Sequence, residues 1–146
     1  MVCAKDAITW RKRVIGRIEH GQTKGIDFYH GILNVGEAQA IPVIKALKRK
    51  IDKKKNVIID VPPGTSCPVI ESISGSDYCV LVTEPTPFGL HDLKLAVEVV
   101  RHMHIPFGVV INRDGIGDNR VEVYCQKKNI PVILKIHDRQ KIAILS

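Results

Sequence analysis

The chain has 146 residues, enough for one domain with a real core and too few to expect two. Its hydrophobic content of 45% excludes a disordered polymer, and no apolar run reaches the length of a membrane span. The net charge of +7 is uneven, with 13 basic and 5 acidic residues up to Lys55 and 9 and 10 beyond it.

In chain order, residues 1–25 are polar and without clean periodicity. The stretch Met1 to Arg17 is charged and lacks the apolar core of a signal peptide, which predicts a soluble, cytoplasmic protein. Gly25–Gly36 holds a candidate strand through Ile26, Phe28, Ile32, Leu33 and Val35. From Glu37 to about Lys50, Ile41, Val43, Ile44 and Leu47 fall at helical spacing. The lysines and arginine of 45–55 then read as a solvated helix end, where cations complement the dipole; a docking patch is the minority reading. Three Phe, three Tyr and one Trp do not interleave with the basic clusters, which argues against nucleic-acid stacking.

From Val57 the pattern becomes regular. Strand Val57–Val61 leads to a helix near Pro68–Ser74, strand Tyr78–Thr83 to a helix from about Phe88 to His104, and strand Phe107–Asn112 to a helix near Asn119–Lys128. Strand Pro131–Ile136 follows, then the start of a helix around Gln140. Thr86 is the predicted N-cap of the second helix, with Pro87 at its first position. Strands alternating with helices at this spacing predict a single α/β domain whose mostly parallel sheet carries helices on both faces.

The tract Val57 to Ser66 concentrates the candidate chemistry. A buried parallel strand ending in Asp60 would carry that carboxylate to the sheet rim, where α/β folds bind ligands. Pro62 and Pro63 stiffen the turn, and Gly64 lets a backbone N–H approach an anion. The same tract also reads as an ordinary strand-to-helix turn. A phosphate cradle of the form G-x-x-x-x-G-K-[ST] is absent, although such a domain normally needs one. His102 and His104 lack a third ligand nearby and read as surface residues; His91-Asp92 has no nucleophile beside it. Cysteines 3, 67, 79 and 125 are widely spaced, as reduced thiols are, and Cys79 lies mid-strand as a core thiol.

Three blocks in order, Ile59 to Ile70, Leu81 to Ala96 and Val109 to Arg113, make the chain resemble the C-terminal part of MinD/ParA-like P-loop ATPases. The closest branch is the one with a ferredoxin domain inserted in the ATPase fold. The resemblance implies a P-loop NTPase-like fold lacking its N-terminal P-loop strand and helix. It makes residues 1–25 a remnant of the segment after the ferredoxin-like insert, and 26–146 the C-terminal part of the ATPase domain. It implies that Asp60 is the catalytic aspartate, holding magnesium through water, and that Gly64 senses the γ-phosphate. Asn112 would contact adenine, with Arg113 flanking the base, and Glu84 to Thr86 would form a loop near the nucleotide and dimer face. Cys3 matches the last cysteine of an iron–sulfur run, but Ala4 replaces the usual proline and the other cysteines are missing, so no 4Fe–4S cluster is expected. His137 stands where the family has a proline.

The implied function is the ATP-binding portion of such an ATPase, linked to an iron–sulfur or redox partner and weakly active or inactive by itself. ATP and magnesium would bind weakly or not at all to the chain alone. Its partner would be a second copy or a chain supplying the missing P-loop. The alternative is a non-catalytic interaction or dimerisation module that retains the scaffold.

Overall fold

The computed structural model describes residues 11–138. The chain forms two compact units that divide between Ile58 and Ile59, not the single domain that its length predicts. Cys3 and the helix expected around Gln140 lie outside the described residues.

The first unit contains a hairpin of β1 (Gly16–Thr23) and β2 (Ile26–Leu33), followed by α1 (Ile41–Lys48). Thr23 pairs with Ile26, leaving a two-residue turn of Lys24 and Gly25, both at positive φ (45° and 80°). That is the backbone twist that tight hairpins need. The boundary expected at 25/26 therefore falls inside this turn. At Gly31 a Cβ would lie 2.7 Å from side-chain atoms of both Val43 and Leu47, so the lack of one lets α1 approach the hairpin closely. Asp27 accepts hydrogen bonds from Lys55 at 2.6 Å and from His20 at 3.4 Å, and His20 stacks on Tyr29 at 4.4 Å. Part of the basic run thus has internal partners.

The second unit is α/β. It comprises α2 (Cys67–Ile73), β3 (Cys79–Thr83), α3 (Pro87–His102), β4 (Phe107–Asp114), α4 (Arg120–Lys127) and β5 (Val132–His137). The sheet is fully parallel in the order β3-β4-β5, with Leu81 opposite Val109 and Thr83 opposite Ile111. Its core joins Leu93 and Val97 of α3, Val121 and Cys125 of α4, and Val109 and Ile111 of β4. A second cluster joins Ile73 of α2, Val100 and Ile105, with Val61, Cys79 and Leu81 packed against it. Burial pushes the Cys79 and Cys125 thiols above their ordinary range, as befits core cysteines.

Two expectations about this unit are corrected. Helices were predicted on both faces, yet α2, α3 and α4 all pack on the face of Cys79, Leu81, Val109 and Ile111. On the other face Val80, Val82 and Leu134 are 53%, 64% and 53% exposed. Secondly, Val57–Val61 is not a strand: among the described residues it makes no backbone hydrogen bond, and Ile58 is 97% exposed. Apolar β-branched residues supply surface to bury, but a strand also needs a neighbouring edge to pair with. Only Val61 turns toward the core.

Among the described residues no helix is long and apolar enough to cross a membrane.

Urea unfolding will show the contrast between these segments. Ile111→Ala should cost about 2–5 kcal/mol, as truncations in a close-packed core do, whereas Ile58→Ala should change stability by less than about 0.5 kcal/mol. In the hairpin unit, hydrogen bonds from Lys55 and then His20 hold the Asp27 carboxyl below the usual carboxylate range. Folding therefore favours the ionised form. The contribution is complete above the ordinary carboxylate pKa and is lost as pH falls through the lowered value. Asp27→Asn should flatten the acid limb of the stability–pH profile, followed by urea titration at each pH.

Candidate functional site at the strand ends

Parallel pairing brings the carboxyl ends of β3 and β4 to the same edge of the sheet, and a cleft of about 370 Å³ opens there. It is lined by Val82, Thr83, Glu84, Thr86, Phe88, Gly89, Asp92 and Asn112. The wall formed by α3 is built as predicted. The Thr86 side chain accepts from the Gly89 N–H at 3.0 Å, and Pro87 occupies the first turn. The buried Thr83 hydroxyl donates to the Gly89 carbonyl at 2.9 Å, tying the strand end to the helix. Gly89 is sterically obligatory, since a Cβ would lie 2.3 Å from the Glu84 carbonyl oxygen.

The opposite wall comes from the end of β4. Asn112 faces the cleft, while Arg113 adopts φ 55° and reaches Glu84 at 3.6 Å and Asp138 at 3.5 Å. The following loop closes on the first wall: a Cβ on Gly117 would lie 1.6 Å from the Pro85 carbonyl oxygen. His137 ends β5 and approaches Asp114 at 3.3 Å. Just beyond, Asp118 receives hydrogen bonds from the Arg120 side chain and backbone, which hold its carboxyl below the usual range.

Of the predicted site residues, Glu84, Thr86, Asn112 and Arg113 come together here. Asp60 and Gly64 do not line the cleft. Asp60 is exposed and, among the described residues, has no hydrogen-bond or ion-pair partner. Gly64 sits in a bend at φ 102° with open space where a Cβ would be. Asp60 misses the sheet rim because the strand meant to carry it does not form. Sequence reasoning overlooked Phe88 and Gly89 as cleft residues, and passed over Asp92 by weighing it only as the partner of a general base. Their signal was position, since the first turn of a helix after a parallel strand borders the strand-end crevice.

The charge of the cleft restricts what it can hold. Its lining has two carboxylates, Glu84 and Asp92, and no lysine or arginine. A triphosphate would meet repulsion there, and nothing in the lining could cradle it. A neutral planar group that hydrogen-bonds to an amide and packs on Val82 and Phe88 fits, as do ribose hydroxyls donating to a carboxylate. Among the described residues no group of three or more His, Cys, Asp or Glu could hold a metal ion. The lining thus offers an amide, two carboxylates and apolar walls, and no cationic side chain.

A larger groove of about 570 Å³ lies within the hairpin unit, where Arg17, His20, Tyr29, Val43 and Lys50 contribute to the walls, and it contains none of the predicted site residues.

Two archaeal proteins are similar in sequence. The uncharacterized protein MJ0579 of Methanocaldococcus jannaschii is 35% identical over 117 residues, which is 78% of this chain and 43% of that protein. The uncharacterized protein MJ0578 of the same organism is 31% identical over 109 residues, 73% of this chain and 39% of its own length. The chain thus spans about two fifths of these curated relatives. No protein-family description and no solved structure matches it.

The loop architecture makes two substitutions diagnostic. Thr86→Ala should cost about 1 kcal/mol through loss of the cap. Gly89→Ala should cost more, because the Glu84 carbonyl must move. Guanidinium unfolding of both variants, read by circular dichroism, checks the order.

Proposed function

We propose that the chain is the nucleoside-binding portion of a MinD/ParA-like ATPase, with the strand-end cleft receiving the adenosine end of ATP. The observation that carries this reading is the convergence of Asn112, Glu84 and Asp92 on a cleft at the carboxyl edge of a parallel sheet, walled by Val82 and Phe88. An amide presents both a donor and an acceptor to a purine edge, and the carboxylates accept from ribose hydroxyls. Arg113, anchored by Glu84 and Asp138, flanks the base. Phosphates and magnesium would be held by groups outside the cleft. Without a lysine-bearing phosphate loop the chain hydrolyses ATP slowly or not at all, since phosphoryl transfer rests on positioning and charge stabilisation. Its partner would be a second copy or a loop-supplying chain, in iron–sulfur or redox metabolism as the resemblance implies.

The second reading is a non-catalytic interaction module. The exposure of Val80, Val82 and Leu134 on a parallel sheet favours it.

Heat denaturation with added ligand separates the two. If adenosine and MgATP each bind with a Kd of about 10 μM, about 1 mM ligand adds about 2.7 kcal/mol of stability. Asn112→Ala should weaken both ligands about tenfold, near 1.4 kcal/mol. Unaltered unfolding with both ligands would refute the nucleoside reading and leave the interaction module.

A further inference from the structure

The groove of about 570 Å³ in the hairpin unit runs between its strands and α1. Arg17, Ile18 and His20 of β1 line it, with Tyr29 from β2, and Val43 and Lys50 stand opposite. None of its lining residues is buried. Small-molecule sites enclose most of their ligand, whereas an open trough suits a length of polypeptide.

The edge of β1 beside this groove is open. Among the described residues β1 pairs with β2 alone, and a two-stranded hairpin gains from a further strand. The Asn34 N–H donates to the Ile15 carbonyl at 2.9 Å, which makes these two a hydrogen-bonded pair. Such pairs alternate along an antiparallel ladder, so Arg17 and Glu19 bond to β2 while the backbone groups of Ile18 and His20 point away from it. Two fixed cations, Arg17 and Lys50, line the groove, and no carboxylate does. Arg17 donates through Nε to Glu19 at 2.8 Å; among the described residues its terminal nitrogens and the Lys50 ammonium have no partner. From Arg11 to Ile58 the chain carries 12 basic and 4 acidic residues, a net charge of +8. β2 instead carries the Asp27 carboxylate, already paired with Lys55.

We infer that an extended acidic segment of a partner protein docks along the outer edge of β1, its main chain bonding to Ile18 and His20 and its carboxylates meeting Arg17 and Lys50. Strand addition of this kind takes affinity from main-chain bonds and specificity from alternate side chains. Apolar side chains of the segment cover Ile18, Tyr29 and Val43 in the groove. A second copy of this chain is a poor occupant, because it brings like charge to the same surface. Nucleic acid is disfavoured as well: Tyr29 is the ring available to stack a base, and His20 already covers one of its faces at 4.4 Å. This inference does not rest on nucleoside binding.

The test adds a peptide of eight residues alternating Glu and Val, matched in length to β1, to the full chain and follows amide exchange by NMR. The expected result is saturable binding in which exchange at Ile18 and His20 slows at least about tenfold, as their N–H groups gain acceptors. Added salt should weaken it, and the same peptide with Lys in place of Glu should not bind. Lys50→Glu should weaken binding about tenfold, near 1.4 kcal/mol, while leaving the free chain's unfolding midpoint unchanged. Lys24→Glu makes the same charge change in the hairpin turn, outside the groove, and should weaken binding far less. Absence of binding, equal binding of the Lys peptide, or equal losses from the two variants overturns the inference. So does a complex in which the Ile18 and His20 amides still exchange freely, or single-stranded DNA that binds there more tightly than the peptide. Slowing that appears in the chain alone and grows with its concentration also overturns it, since the occupant would then be a second copy.

Discussion

Everything proposed for this protein depends on the parallel pairing of β3 with β4. Because Leu81 lies opposite Val109 and Thr83 opposite Ile111, both strands end at one edge. The loop of Glu84, Pro85 and Thr86 then leaves the sheet beside Asn112 and Arg113. Val109 and Ile111 are completely buried under α3 and α4, which pins the register, since a one-residue slip would turn these side chains to the wrong face. Gly89 lets the first turn of α3 sit against the Glu84 carbonyl, and Gly117 lets the loop after β4 approach Pro85 at backbone contact distance. Core packing, rather than any polar interaction, thus assembles the cleft.

The ion pairs around the cleft act on a different scale. Arg113 is half exposed, and its contacts to Glu84 and Asp138 at 3.6 and 3.5 Å are long. Pairs of this kind contribute little to stability. Their effect is to hold the guanidinium beside Glu84 and to offset its charge. The two lining carboxylates are acceptors, suited to hydroxyl and amine donors and repulsive to phosphate oxygens.

Much of the second unit was legible in the sequence because its signals are local. Thr86 and Pro87 announce the start of α3, and that helix and its flanking strands fall within a few residues of their predicted bounds. The hairpin was harder. β2 emerged from Ile26 to Leu33, but β1 is polar, and its turn is Lys-Gly where Asn-Gly would have been read at once. The failure at Val57–Val61 has another cause: its composition is that of a buried strand, but pairing depends on an edge elsewhere. The same non-local dependence left the uncovered face unforeseen, since alternation reports which residues could be buried and not what is available to bury them.

The central claim is that the strand-end cleft receives a nucleoside, and chemical-shift mapping with adenosine tests it most directly. Binding there should move the backbone resonances of Val82 to Gly89 and of Ile111 to Arg113 together, saturating with one affinity, and leave those of Ile15 to Lys50 in place. Shifts confined to the groove of the hairpin unit, or no saturable shifts, would contradict the account.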